Sequence, residues 1–152
     1  MLYMGYGYGI WLVYNGDQFT TTHIGHVTVA CFMREADARR LYAELREKCP
    51  YRFTIQVNGT PEMFPAAYYA SDTNKIHSWG YNCTSDKWNM LREICVHHNC
   101  DFSPQAHTSI EYDMDPALFS PVTIEGGSRT VECDLRLADI RSDFPVDWRV
   151  LL

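Results

Sequence analysis

Short runs of β-branched and aromatic residues alternate with polar turns along the chain, and only two stretches repeat their apolar positions at helical spacing. Tyr8 to Tyr14 (Tyr-Gly-Ile-Trp-Leu-Val-Tyr) predicts a first strand, stopped by the turn residues Asn15-Gly16-Asp17. After a polar loop, His26 to Phe32 predicts a second strand, with His26, Thr28 and Ala30 on one face and Val27, Val29 and Cys31 on the other. From Glu35 to Lys48, Ala38, Leu41, Tyr42 and Leu45 recur at helical spacing. Glu35 and Asp37 suit the first turn of a helix there, and Pro50 closes it. Tyr51 to Val57 alternates apolar and polar residues, and Ala66 to Ala70 and Lys75 to Tyr81 predict further strands. Thr84 or Ser85 is placed to cap a second helix through Trp88, Leu91 and Cys95, with His97 and His98 in its last turn. His107 to Tyr112 then predicts a strand, and Arg129 to Arg141 and Val146 to Leu151 a late pair.

The order strand, helix, strand thus occurs twice, and each half has one strand that opens with His-x-Thr/Ser. The economical arrangement is a single α+β domain over residues 1–152, built as two sheet-and-helix lobes facing each other. A chain of 152 residues with 46% hydrophobic and 14% aromatic content is enough for one packed core. No apolar run approaches the roughly 20 residues needed to cross a bilayer. The start Met1-Leu2-Tyr3-Met4-Gly5-Tyr6 lacks the basic residues and long apolar stretch of a signal peptide, so a cytosolic protein with no membrane partner is expected. Cys31, Cys49, Cys83, Cys95, Cys100 and Cys133 read as reduced thiols, mostly filling the core. A net charge of -6 excludes broad binding to duplex DNA, which draws on many Lys and Arg contacts, but leaves room for a small phosphorylated ligand.

In a strand, residues i and i+2 share a face, so the imidazole of His26 projects with the hydroxyl of Thr28, and that of His107 with Ser109. Two such strands side by side offer two hydroxyl donors to phosphate oxygens and two imidazoles, one to remove a proton from the attacking oxygen and one to protonate the leaving oxygen. Histidine suits both tasks because its unperturbed pKa is about 6.5. The scheme needs no metal or other cofactor, since hydrogen-bond donors and one imidazolium meet the phosphoryl charge.

Three segments carry a family resemblance: the first strand Ile10-Trp11-Leu12-Val13, then Gly25-His26-Val27-Thr28-Val29-Ala30 with the helix through Ala36 to Leu45, and Pro104-Gln105-Ala106-His107-Thr108-Ser109-Ile110. Together they resemble the two-histidine phosphoesterase superfamily, which includes LigT-like RNA ligases and phosphodiesterases and plant-type cyclic nucleotide phosphodiesterases. The resemblance implies a bilobal, pseudo-symmetric α+β fold, with two antiparallel sheets lining a central cleft and helices outside. It also implies metal-independent cleavage of 2',3'-cyclic phosphates, 2'-5' linkages or related nucleotide phosphodiesters, with His26, His107, Thr28 and Ser109 as the working residues. Family members commonly carry a helix between the first strand and the first histidine strand and a proline before that histidine. Here only Asn15 to Gly25 intervene, and Gly25 precedes His26. The short first lobe fits a viral or phage enzyme that destroys a cyclic oligonucleotide immune signal.

Tyr8, Trp11, Tyr14, Tyr112 and Trp148 are candidates for stacking on a base, and Arg141, with Arg149 and Arg52, for meeting a second phosphate. The run Gly5-Tyr6-Gly7-Tyr8-Gly9 precedes a strand rather than opening a helix, so it reads as a lead-in and not a phosphate loop. His23 lacks a hydroxyl two positions on and reads as a loop residue. Cys95-Val96-His97-His98-Asn99-Cys100 does not match the ligand spacing of a zinc site and reads as a helix end. Two rival readings stay open: a non-catalytic nucleotide- or RNA-binding module of the same fold, and an interaction protein in which the Cys95 segment holds a metal.

Overall fold

A computed structural model of the chain describes residues 7–67, 76–142 and 144–152. Along β1 (Tyr8–Tyr14), Tyr8, Ile10, Leu12 and Tyr14 point into the main core, while Trp11 and Val13 point to the opposite face, into a smaller cluster with Tyr112, Ala138 and Trp148. This central strand thus separates a packed face from the face that carries the cleft. β1 is flanked by β2 (His26–Met33) and by the long β8 (Ser128–Asp139). The other strands are β3 (Arg52–Asn58), β4 (Glu62–Ala67), β5 (Ile76–Thr84), β6 (Asp101–Phe102), β7 (His107–Asp113) and β9 (Arg149–Val150). The helices are α1 (Glu35–Lys48) and α2 (Trp88–Cys95).

All strand pairs are antiparallel, and the protein is α+β. Instead of two separate sheets, the strands make one curled sheet in the order β4-β5-β3-β8-β1-β2-β6, with β7 on β5 and β9 on β8. The join is short: β5 pairs with β4 and β7 along most of its length, and only Cys83 and Thr84 reach Val57 and Gln56 of β3. The curl brings β7 against β2 without backbone pairing between them. The two strands that open with histidine therefore face each other.

α1 buries Ala38, Leu41, Tyr42 and Leu45 against β1 and β8, and α2 adds Trp88, Leu91 and Cys95 while packing on α1. The helices are thus neighbours rather than partners of separate sheets. Among the described residues no helix is long and apolar enough to cross a membrane.

The expected elements need several corrections. The strand expected at Ala66 to Ala70 begins earlier, at Glu62, and residues 68–75, Lys75 included, lie outside the described residues. Gly5 and Tyr6 also fall outside them. α2 ends at Cys95, so His97 and His98 follow the helix, and His98 bonds Glu44 of α1 at 2.7 Å. Ser85 sits ahead of α2 and accepts a hydrogen bond from the Lys87 amide at 3.1 Å. Of the expected strand Val146 to Leu151 only Arg149–Val150 is strand, preceded by a 3-10 turn at Pro145–Asp147.

Candidate active site

A cavity of about 370 Å³ lies on the cleft face, and His26, Thr28, His107 and Ser109 all line it. Each histidine begins its strand, and each is fixed in the same manner. The Nδ1–H of His26 donates to the Ile24 carbonyl at 2.7 Å, and that of His107 to the Gln105 carbonyl at 3.3 Å. A carbonyl only accepts, so the neutral imidazole is held as the Nδ1–H tautomer and its Nε2 keeps a lone pair. Neither Nε2 has a protein partner among the described residues. Each ring also rests on an aromatic: Trp11 stacks on His26 with centroids 3.7 Å apart and planes at 13°, and Phe64 lies 4.2 Å from His107.

Burial lowers the proton affinity of both imidazoles. His26 is driven down to about 3, opposed by its bond to the Ile24 carbonyl and assisted by the nearby His23 and His107 charges. His107 moves the same way, again through burial. The hydroxyls differ. Thr28 Oγ1 has no protein partner among the described residues, whereas Ser109 Oγ lies 3.0 Å from Ser78 Oγ of β5. Ser78 also lines the cavity and had no signal in the sequence.

His23, read from sequence as a loop residue, is in a loop but buried. Its Nε2–H donates to the Ser109 carbonyl at 2.9 Å, and its ring meets Tyr112 edge-on at 5.0 Å. The loop before β2 is thereby tied to β7 through one imidazole. A second tie lies in the core, where Tyr14 Oη and Thr108 Oγ1 are 2.7 Å apart. Gly25 makes room for it, because a Cβ there would sit 2.3 Å from the Tyr14 ring. The glycine before His26 thus has a packing cause.

The aromatic candidates divide. Tyr14 belongs to the main core and is no base platform. Tyr8 is buried there too, with the Arg141 guanidinium 5.0 Å over its ring. Arg141 and Arg149 both bond Asp139, at 2.8 and 3.2 Å, and neither lines the cavity. Burial raises the Asp139 pKa, but the bonds from Arg141 and Arg149 outweigh it and hold the carboxyl below its usual range. Arg52 pairs with Asp134 at 3.2 Å. Trp11, Tyr112 and Trp148 do line the cavity. Trp11 is only 1% exposed and its face is taken by His26, and Trp148 meets His26 and Tyr112 edge-on at 6.1 and 5.5 Å. Trp11 and Trp148 thus box in His26, and Tyr112 packs on Trp148 and His23. Burial raises the Tyr112 phenol to about 12, so it remains a donor.

Cys31 and Phe32 also line the cavity, against the alternation expected of β2. Two register shifts in the β1–β2 pairing give β2 extra residues between Thr28 and Met33, which turns Ala30 into the core and Cys31 and Phe32 to the cleft. In the other Cys/His segment, Cys95 is buried in the core and Cys100 Sγ contacts the Cys95 carbonyl at 3.4 Å.

The histidine burial makes folding stability pH-dependent. In the unfolded chain these imidazoles titrate near 6.5, and in the folded protein His26 does so at about 3, with His23 and His107 also lowered. Between those values the unfolded chain binds protons that the folded one refuses. The contribution is therefore complete above pH of about 6.5 and is lost as pH falls toward 3. For His26 alone the loss by about pH 4.5 is on the order of 3 kcal/mol. Urea unfolding near pH 7.5 and 4.5 is expected to show a larger acid loss in the wild type than in His26→Gln; equal losses would mean that His26 accepts a proton in the folded cleft at no cost.

No family model matches the chain, and no curated protein matches it in sequence.

Proposed function

We propose that the protein is a phosphodiesterase that cleaves a nucleotide phosphodiester with two histidines and no metal. The observation that carries the reading is the convergence of both His-x-Thr/Ser strands on one cavity, each imidazole tied at Nδ1 to a backbone carbonyl with Nε2 left open. One Nε2 takes the proton from the attacking oxygen as its bond to phosphorus forms. The other, as imidazolium, gives its proton to the leaving oxygen as that bond breaks. Thr28 and Ser109 donate to the non-bridging oxygens, and Tyr112 stands close enough to contribute a third hydroxyl. Cleavage leaves the two imidazoles with exchanged protonation states, which solvent resets. The curled antiparallel sheet, with β2 and β7 face to face, is compatible with the bilobal fold of the two-histidine phosphoesterases.

The cavity volume suits a ligand of about one nucleotide, near the lower end of small-molecule sites. Three substrate classes meet these requirements: RNA ends with 2',3'-cyclic phosphate, 2'-5'-linked oligoadenylate, and cyclic oligonucleotide signals. The test is a chromatographic cleavage screen over representatives of all three, with and without EDTA. Turnover of at least one class, unchanged by chelation, is expected. Turnover abolished by chelation would remove the mechanism, and nucleotide binding without turnover would recast the protein as a binding module.

A further inference from the structure

The cavity lining includes an acidic residue that the phosphate chemistry leaves unused, the exposed Asp101. No Lys or Arg lines this cavity, so among the described residues its ionisable lining is His26, His107, Cys31, Tyr112 and Asp101. A free carboxylate beside a phosphate site repels the substrate unless the same substrate offers it hydrogen-bond donors. The side chain of Asp101 makes no hydrogen bond or ion pair among the described residues, and only its backbone carbonyl is used, by the Cys31 thiol at 3.9 Å.

Asp101 of β6 lies opposite Cys31 and Phe102 opposite Ala30, beyond the bulge that follows Thr28 on β2, so Asp101 stands on the β6 side of the same cavity. The same side of the cavity is lined by Phe102, whose ring packs on Trp88 at 5.3 Å, and by Phe32. Phe32 holds φ at 58°, a left-handed conformation that a bulky residue rarely adopts and that clusters at ligand sites. Two aromatic side chains and one carboxylate on this side of the cavity are the groups that base recognition needs.

Of the four bases only guanine has two adjacent N–H donors, N1–H and N2–H, on its Watson–Crick edge. Adenine and cytosine place a lone pair beside the amino group, and uracil places N3–H between two carbonyls. An ionised carboxylate has two acceptor oxygens and no donor, so guanine alone satisfies both. Resting on the phosphodiesterase reading above, we propose that Asp101 is a specificity-determining residue that selects guanine as the base next to the scissile phosphate.

The test measures binding, by tryptophan fluorescence, and turnover, by chromatography, on the full chain and on Asp101→Asn. Ligands are the 2',3'-cyclic phosphates of guanosine, inosine, adenosine, cytidine and uridine, with cyclic diguanylate and cyclic diadenylate. The wild type is expected to prefer guanine over adenine roughly ten- to hundredfold, with inosine, which lacks the 2-amino group, between them. Asp101→Asn is expected to reverse the order toward adenine, since a carboxamide supplies the one acceptor and one donor that adenine N6–H and N1 require. Equal turnover of all bases would overturn the role of Asp101 and leave the phosphodiesterase reading standing. A guanine preference in binding without any turnover would do the reverse. A guanine preference unchanged in Asp101→Asn would overturn the assignment to this residue, and the absence of both binding and turnover would remove both readings.

Discussion

Alanine at His26 or at His107 is expected to lower turnover by roughly 10²- to 10⁴-fold, the range of a general acid or base. The double variant should fall little further, because two groups that pass a proton through one transition state act as a unit. The expectation rests on both rings presenting Nε2 to the same cavity while Nδ1 is held by a carbonyl. Proton affinity sets the pH dependence. Burial leaves both imidazoles neutral at pH 7 in the empty cleft, with His26 driven down to about 3, yet the reaction needs one of them protonated. kcat/KM should therefore rise as pH falls from neutrality, as one imidazole gains its proton, and drop again only near pH 3, where His26 is protonated as well. Steady-state rates from pH 8 downward, as far as wild type and variants stay folded, check the acid-side rise. Two single variants that each keep more than a tenth of wild-type turnover would remove both histidines from the chemistry.

How much of this could be read in the sequence depends on how local each cause is. β1 and α1 stand where the alternation and the helical spacing put them, because a half-buried strand and an amphipathic helix write their burial into consecutive residues. That His26 projects with Thr28 and His107 with Ser109 was also legible, since i and i+2 share a strand face, whereas the meeting of the two strands in one cavity was expected only from the resemblance. The period-2 rule failed further along β2, where extra residues at the bulges reverse the faces of Ala30 and Cys31. β4 was misplaced because Pro61 and Pro65 argue against a strand there, and only an edge position tolerates them. β6 has two residues and exists because β2 offers it a free edge, which no local pattern encodes. The aromatic roles were the least legible. Only the tertiary arrangement decides that Tyr14 bonds Thr108 in the core, that Trp11 stacks on His26 and that Tyr112 meets His23. His23 carried a readable signal in its closeness to His26, but its use, donating to the Ser109 carbonyl, is a tertiary fact.

Gly80→Ala is expected to destabilise the fold by about 2–4 kcal/mol, the scale of overpacking against a rigid neighbour, and to lower Tm by about 10 °C. A Cβ at position 80 would lie 1.9 Å from the Thr108 carbonyl oxygen and 2.9 Å from Ser109 Cα, both backbone, so no rotamer change relieves the overlap. The two strands must part at the register shift beside Trp79, where Gly80 faces Ser109. That same step sets Ser78 Oγ against Ser109 Oγ and holds the Ser109 carbonyl in reach of His23. Site and fold are therefore expected to fail together in this variant. Ser78→Ala is the control that separates them: it removes one hydroxyl contact and no backbone fit, so it should shift Tm far less while lowering turnover through the loosened Ser109. Thermal melts and rates on both variants decide it. A Gly80→Ala protein as stable as the wild type would mean that β5 and β7 do not need their close approach, and Ser109 would then owe its place to the hydroxyl of Ser78 alone.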